Sequence, residues 1–243
     1  MESHFANSPR LGPGPTGMHG TPLWLRAALW TSIAIAIAVG VRRLIAMMHP
    51  SLSAPPQMLA LDAAFESHAV LTLEHIIPAM AFVLLIPFVF LERTGVRWAE
   101  WLLFPLGAVV GVTAYAMSTY SIGGWVERSA VLFFNSLFLF SLMRAYGYMR
   151  AGEHLLKRCW MTRAVAILLG IATTRPVMGL FFATSARTHL EPRQFFGIAF
   201  WIGFSINTIA VELWLHSPRR QSQTERTAAQ SENSLRSDAS RRG

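Results

Sequence analysis

Six polar side chains of this chain lie where the sequence is otherwise hydrocarbon: Glu74, His75, Asn135, Arg175, Asn207 and Glu212. Each residue type can do chemistry. A carboxylate or imidazole can carry a proton, a guanidinium can hold an anion through a planar fork of N–H groups, and a carboxamide can donate and accept at once. Ionisable groups inside a membrane span are costly, so they face protein or water and mark candidate functional sites. Arg175 stands beside Pro176 in the middle of one apolar run, and Glu212 comes near the end of the next.

The elements that must position these residues are membrane helices. Of the 243 residues, 53% are hydrophobic and 14% charged, and the mean hydropathy is +0.39. Water-soluble domains carry about 25% charged residues, so the balance points to a membrane domain. Apolar runs predict six spans, over about 23–41, 68–91, 100–120, 125–149, 160–184 and 194–216. The first is expected to end at Arg42 and Arg43, and the second to kink at Pro78 and Pro87. Before them, residues 1–22 are rich in Gly and Pro, and after them residues 217–243 are polar and of low complexity; both compositions predict disorder. The first run begins late and no small-residue cleavage site follows it, so a retained tail is expected rather than a signal peptide. A short interfacial helix is expected over Met58–Glu66. The fold class is therefore all-α, a polytopic helix bundle.

A net charge of +8 could suit nucleic acid. The basic residues, however, collect in loops and a tail beside apolar spans, the pattern of cytoplasmic anchoring, so no nucleic-acid partner is expected. With both termini inside, eleven Lys/Arg fall on the cytoplasmic side (Arg10, Arg26, Arg93, Arg97, Arg144, Arg150, Lys157, Arg158, Arg163, Arg219, Arg220) and five outside (Arg42, Arg43, Arg128, Arg187, Arg193). The densest basic segment, Arg144 to Arg163, reads as topological anchoring or as a pocket for anionic lipid head groups. Trp24, Trp98, Trp101, Trp125, Trp160 and Trp214 mark span ends. A single cysteine, Cys159, excludes an internal disulfide and any multi-cysteine metal site. No phosphate-cradling glycine loop, nucleophile elbow, zinc-protease helix or dinucleotide fingerprint occurs.

Helices rise ~1.5 Å per residue, which puts His75 roughly 10 Å and Arg175 about 13 Å from the outer ends of their spans, with Asn135 at similar depth. Glu74, His75, Asn135 and Arg175 are thus expected to share one layer in the outer half. There, either Glu74 and Arg175 neutralise each other and lock helices together, or the group forms a ligand or proton site. Asn207 and Glu212 form a second polar site near the inner face. His68 and His75 share a helix face two turns apart, with His49 and His189 on the same side of the membrane.

The second to sixth spans, over roughly 65–216, carry a series of short pieces: Arg144-Ala145-Tyr146 with Arg150, Trp160-Met161 with Arg163, Thr174-Arg175, Asn207, and Ala210-Val211-Glu212, besides His75. In their order and spacing these resemble a bacterial family of predicted membrane proteins, domain of unknown function 2306. The resemblance implies a multi-pass protein of the bacterial inner membrane and assigns no activity. That family's histidine pattern is similar to that of cytochrome b561-type proteins, which implies haem b as a candidate cofactor with His75 as one axial ligand. Two family positions differ here. A His-Arg pair is replaced by Ala99-Glu100, and a histidine by Lys157, with His154 one turn earlier. The expectation is a membrane protein, more readily non-enzymatic than enzymatic, with a polar ligand or proton site in its outer half. The alternatives are a haem-binding redox component and a structural factor without a ligand.

Overall fold

The computed structural model describes residues 23–48, 66–90, 97–189 and 192–217. His49, most of the stretch 58–66 and both terminal tails lie outside the described residues. Among the described residues seven helices follow one another: α1 (Leu23–Met48), α2 (Ala69–Phe90), α3 (Arg97–Ser118), α4 (Gly124–Arg150), α5 (His154–Leu168), α6 (Gly170–Thr188) and α7 (Pro192–Leu215). Among the described residues there is no strand. α5 and α6 together make one span, so six segments are long and apolar enough to cross a membrane. The all-α, six-span class therefore holds, and the chain is a multi-pass membrane protein.

Two expectations about helix limits change. α1 does not stop at Arg42 and Arg43 but runs on to Met48. Arginine ends a hydrocarbon run without ending a helix, because its propensity is close to that of leucine. The fifth span starts earlier, at His154, and is broken at Leu169. Here the backbone tightens, and Ala172 donates to the carbonyl of Leu169, three residues back, at 2.9 Å. Pro176 lacks the N–H that would normally reach the Ala172 carbonyl. By contrast, α2 continues unbroken through Pro78 and Pro87.

Neighbouring side chains re-satisfy the broken span, as a membrane interior requires. Asn207 of α7 donates through Nδ2 to the carbonyl of Ala166 at 3.1 Å and accepts through Oδ1 from the Thr173 hydroxyl at 2.7 Å. Close approach of α6 and α7 makes this reach feasible. A Cβ on Gly203 would lie 2.7 Å from Cα of Thr174, so only glycine fits there. Small residues at such crossings are what allow helices to associate in lipid, where burying apolar surface gives no net drive.

The main core lies among α2, α3, α4 and α5, around Phe82, Ile86, Leu103, Phe138 and Ala145. A second core joins α6 to α7, where Phe181 and Phe195 stack at 5.3 Å. α1 buries only Ile33 and Gly40 and packs mainly against α2 and α6.

Candidate functional site

Between α1 and the two cores lies a cavity of about 290 Å³, near the lower end of the ~300–1,000 Å³ of small-molecule pockets. Its polar lining comes from Arg43 at the end of α1, His68 and His75, Glu127 and Asn135 on α4, and Arg175 on α6. The up-down order of the helices brings these to the end of the bundle that carries the 119–123 turn. Towards mid-bundle the walls become hydrocarbon and aromatic: Met80, Val83, Phe134, Phe138, Ile167 and Phe204. From Glu127 to Phe138 the cavity follows eleven residues of α4, about 16 Å of helix.

His75 is held in one orientation. Its Nδ1 lies 2.9 Å from Oγ1 of Thr113 on α3, and that hydroxyl's own proton goes to the Val109 carbonyl at 2.7 Å. The threonine oxygen is then an acceptor, so Nδ1 carries a proton and donates it. Asn135 donates from Nδ2 to the Gly111 carbonyl at 2.9 Å, which leaves its amide oxygen free of protein partners among the described residues.

Arg175 differs from both. It lines the cavity, yet its guanidinium makes no hydrogen bond or ion pair with any described residue, and its Nε is buried and unpartnered. Arg43 and Arg42 lie close enough to repel it and Glu127 close enough to attract it. The Glu127 carboxylate is already engaged: it accepts from the Gly123 amide at 2.6 Å. In this way it closes the start of α4 much as a capping side chain reaches back to the helix N-terminus. α7 presses on the same turn at Gly197, where a Cβ would lie 2.6 Å from the Glu127 amide nitrogen.

The fold thus brings His75, Asn135 and Arg175 to one cavity and leaves Glu74 out. Glu74 is exposed on the opposite side of α2 and does not line the cavity; the expected Glu74–Arg175 pair is not formed. The face of α2 that lines the cavity carries Leu71, Thr72, His75, Ile76, Ala79 and Met80, the i, i+3/i+4 set of one helical stripe, and Glu74 falls outside it. Asn207 and Glu212 do not form a joint site either. Asn207 is the brace described above, while Glu212 makes a bidentate pair with Arg163, its Oε2 3.0 Å from a terminal guanidinium nitrogen. Arg163 also lies over the Trp160 ring at 4.7 Å, which Arg144 flanks at 5.4 Å. His189 is exposed beyond the cavity.

Glu127 and Arg43 were not singled out as cavity residues by sequence, because both fall at span ends and read as topological charges. The available signal was the spacing of Glu127 four residues after Gly123, at the start of an apolar run. Glu100 and Lys157 meet: Lys157 donates to both oxygens of Glu100, at 2.9 and 2.8 Å, and ties α5 to α3.

The residues do not fit a haem held between two histidines. His68 and His75 belong to the same wall, and among the described residues no histidine on a facing helix lines the cavity. The His68 ring lies against Tyr120 at 3.7 Å between centroids. Among the described residues, no group of three or more His, Cys, Asp or Glu could hold a metal ion. No protein-family model, curated protein or solved structure matches the chain.

Proposed function

We propose that this is a non-enzymatic, ligand-binding protein of the bacterial inner membrane, with both termini cytoplasmic and its site in the outer half of the bundle. The observation that carries the reading is Arg175, a guanidinium that lines the cavity without a hydrogen-bond or ion-pair partner among the described residues. A permanently charged group is costly to hold inside a membrane span. A purely structural arginine would be expected to pair with a carboxylate, as Arg163 does with Glu212. His75 and Asn135 each spend one polar atom on the backbone or a neighbour and keep another for a ligand. The Lys/Arg asymmetry supports the orientation, and the resemblance to the domain of unknown function 2306 family supports the bacterial membrane.

The test is to fill the cavity. Ala114 lines it, and Ala114→Phe would occupy much of its volume. Small molecules extracted from equal amounts of purified wild-type and variant protein are compared by mass spectrometry. A compound held at near-unit ratio by the wild type and lost from the folded variant is expected. Equal contents in the two would contradict the reading.

A further inference from the structure

Resting on that reading, we infer that the cavity takes a single-chain anionic amphiphile, its carboxylate or phosphate head paired with Arg175 and its tail running inwards among Met80, Phe134, Phe138 and Phe204. Three observations carry this. First, Glu127, the one carboxylate among the described residues that lines the cavity, accepts from the Gly123 amide and makes no hydrogen bond to Arg175.

Second, a guanidinium offers parallel N–H groups that match the paired oxygens of a carboxylate or phosphate, and the Arg175 guanidinium has no acceptor among the described residues. Third, polarity changes along the cavity. Arg43, His68, Glu127 and Arg175 lie towards the bundle end with the 119–123 turn, whereas Val83, Phe138, Ile167 and Phe204 lie towards its middle. A free inorganic anion would leave the inner part as unfilled apolar space. A neutral hydrocarbon would leave the guanidinium unpaired. A molecule with an anionic head and an apolar tail satisfies both ends, and it lies in the direction that lipids of the same leaflet take. α1, which buries only Ile33 and Gly40, contributes Ala36, Val39, Gly40 and Arg43 to the cavity wall.

The test uses full-length protein in phosphatidylcholine nanodiscs and three photoreactive probes of equal chain length, ending in a carboxylate, an alcohol or a trimethylammonium group. Labelled peptides are mapped by mass spectrometry. The expected result is saturable labelling of cavity-lining segments by the carboxylate probe, at least tenfold above the other two. Dodecanoate and dodecyl phosphate should compete for it and inorganic phosphate should not. Arg175→Gln should lower the labelling at least tenfold, and Glu74→Gln should leave it unchanged. The head-group comparison is made on the wild type, so it stands even where a variant fails to fold. Equal cavity labelling by the alcohol probe, indifferent to Arg175→Gln, would overturn the anionic class and leave the ligand-binding cavity standing. Competition by inorganic phosphate as strong as by dodecyl phosphate would overturn the amphiphile. Labelling confined to lipid-facing segments would overturn both the inference and the site.

Discussion

At the scale of single residues, Arg163 is a paired charge and Arg175 an unpaired one among the described residues. Arg163 has a carboxylate and an aromatic face; Arg175 has neither among the described residues. Removing the two should therefore act in opposite directions. Arg175→Met is expected to raise the thermal unfolding midpoint of delipidated protein in detergent, since it deletes an uncompensated charge, at a gain of about 1 kcal/mol or more. A loss of about 3–5 kcal/mol, the usual result of breaking a buried ion pair, would mean that Arg175 has a protein partner. Glu74 illustrates what the sequence left open at this scale. α2 is apolar on all sides (AVLTLEHIIPAMAFVLLIPFVF), so no polar stripe shows which of two adjacent residues faces inwards.

At the scale of elements, the spans were legible because a membrane imposes a length of about 20 apolar residues and allows few charges within it. The break at Leu169 was not. Pro176 is visible in the sequence, but α2 carries two prolines and stays continuous, so proline alone does not predict a break. What makes the α5–α6 break tenable is a partner 41 residues away, Asn207, whose amide serves both the Ala166 carbonyl and the Thr173 hydroxyl. Asn207→Leu should therefore lower stability by about 0.6–1.7 kcal/mol, the span measured for hydrogen bonds between membrane helices. Thermal unfolding in detergent measures this, and an unchanged midpoint would mean the break is held by packing alone. The Lys157–Glu100 tie is of the same kind. The two residues were each readable, but their meeting across 57 positions was not. A double-mutant cycle with Glu100→Gln and Lys157→Met should give a coupling of about 1–2 kcal/mol. Additive effects would contradict a direct pair.

At the scale of the whole molecule, six alternating spans place the cavity-lining ends of α1, α2, α3, α4 and α6 at one face of the bundle, so residues 75, 135 and 175 converge although no motif links them. The layer containing them could be estimated from helix rise alone, because each lies a fixed number of turns from a span end. Their rotation about each helix required the packing, above all the glycine contacts at Gly197 and Gly203. The Lys/Arg asymmetry predicts that reporter fusions at Gly20 and Ser217 both behave as cytoplasmic, and a periplasmic signal from either would reverse or break the proposed topology. The convergence itself is tested most directly by paired cysteines in a Cys159→Ser background, treated in native membranes with a short bifunctional thiol reagent. The variant with cysteines at positions 75 and 175 is expected to crosslink within the chain, and the variant with cysteines at 74 and 175 is not. Crosslinking of the 74–175 pair in preference to the 75–175 pair would contradict the site as described.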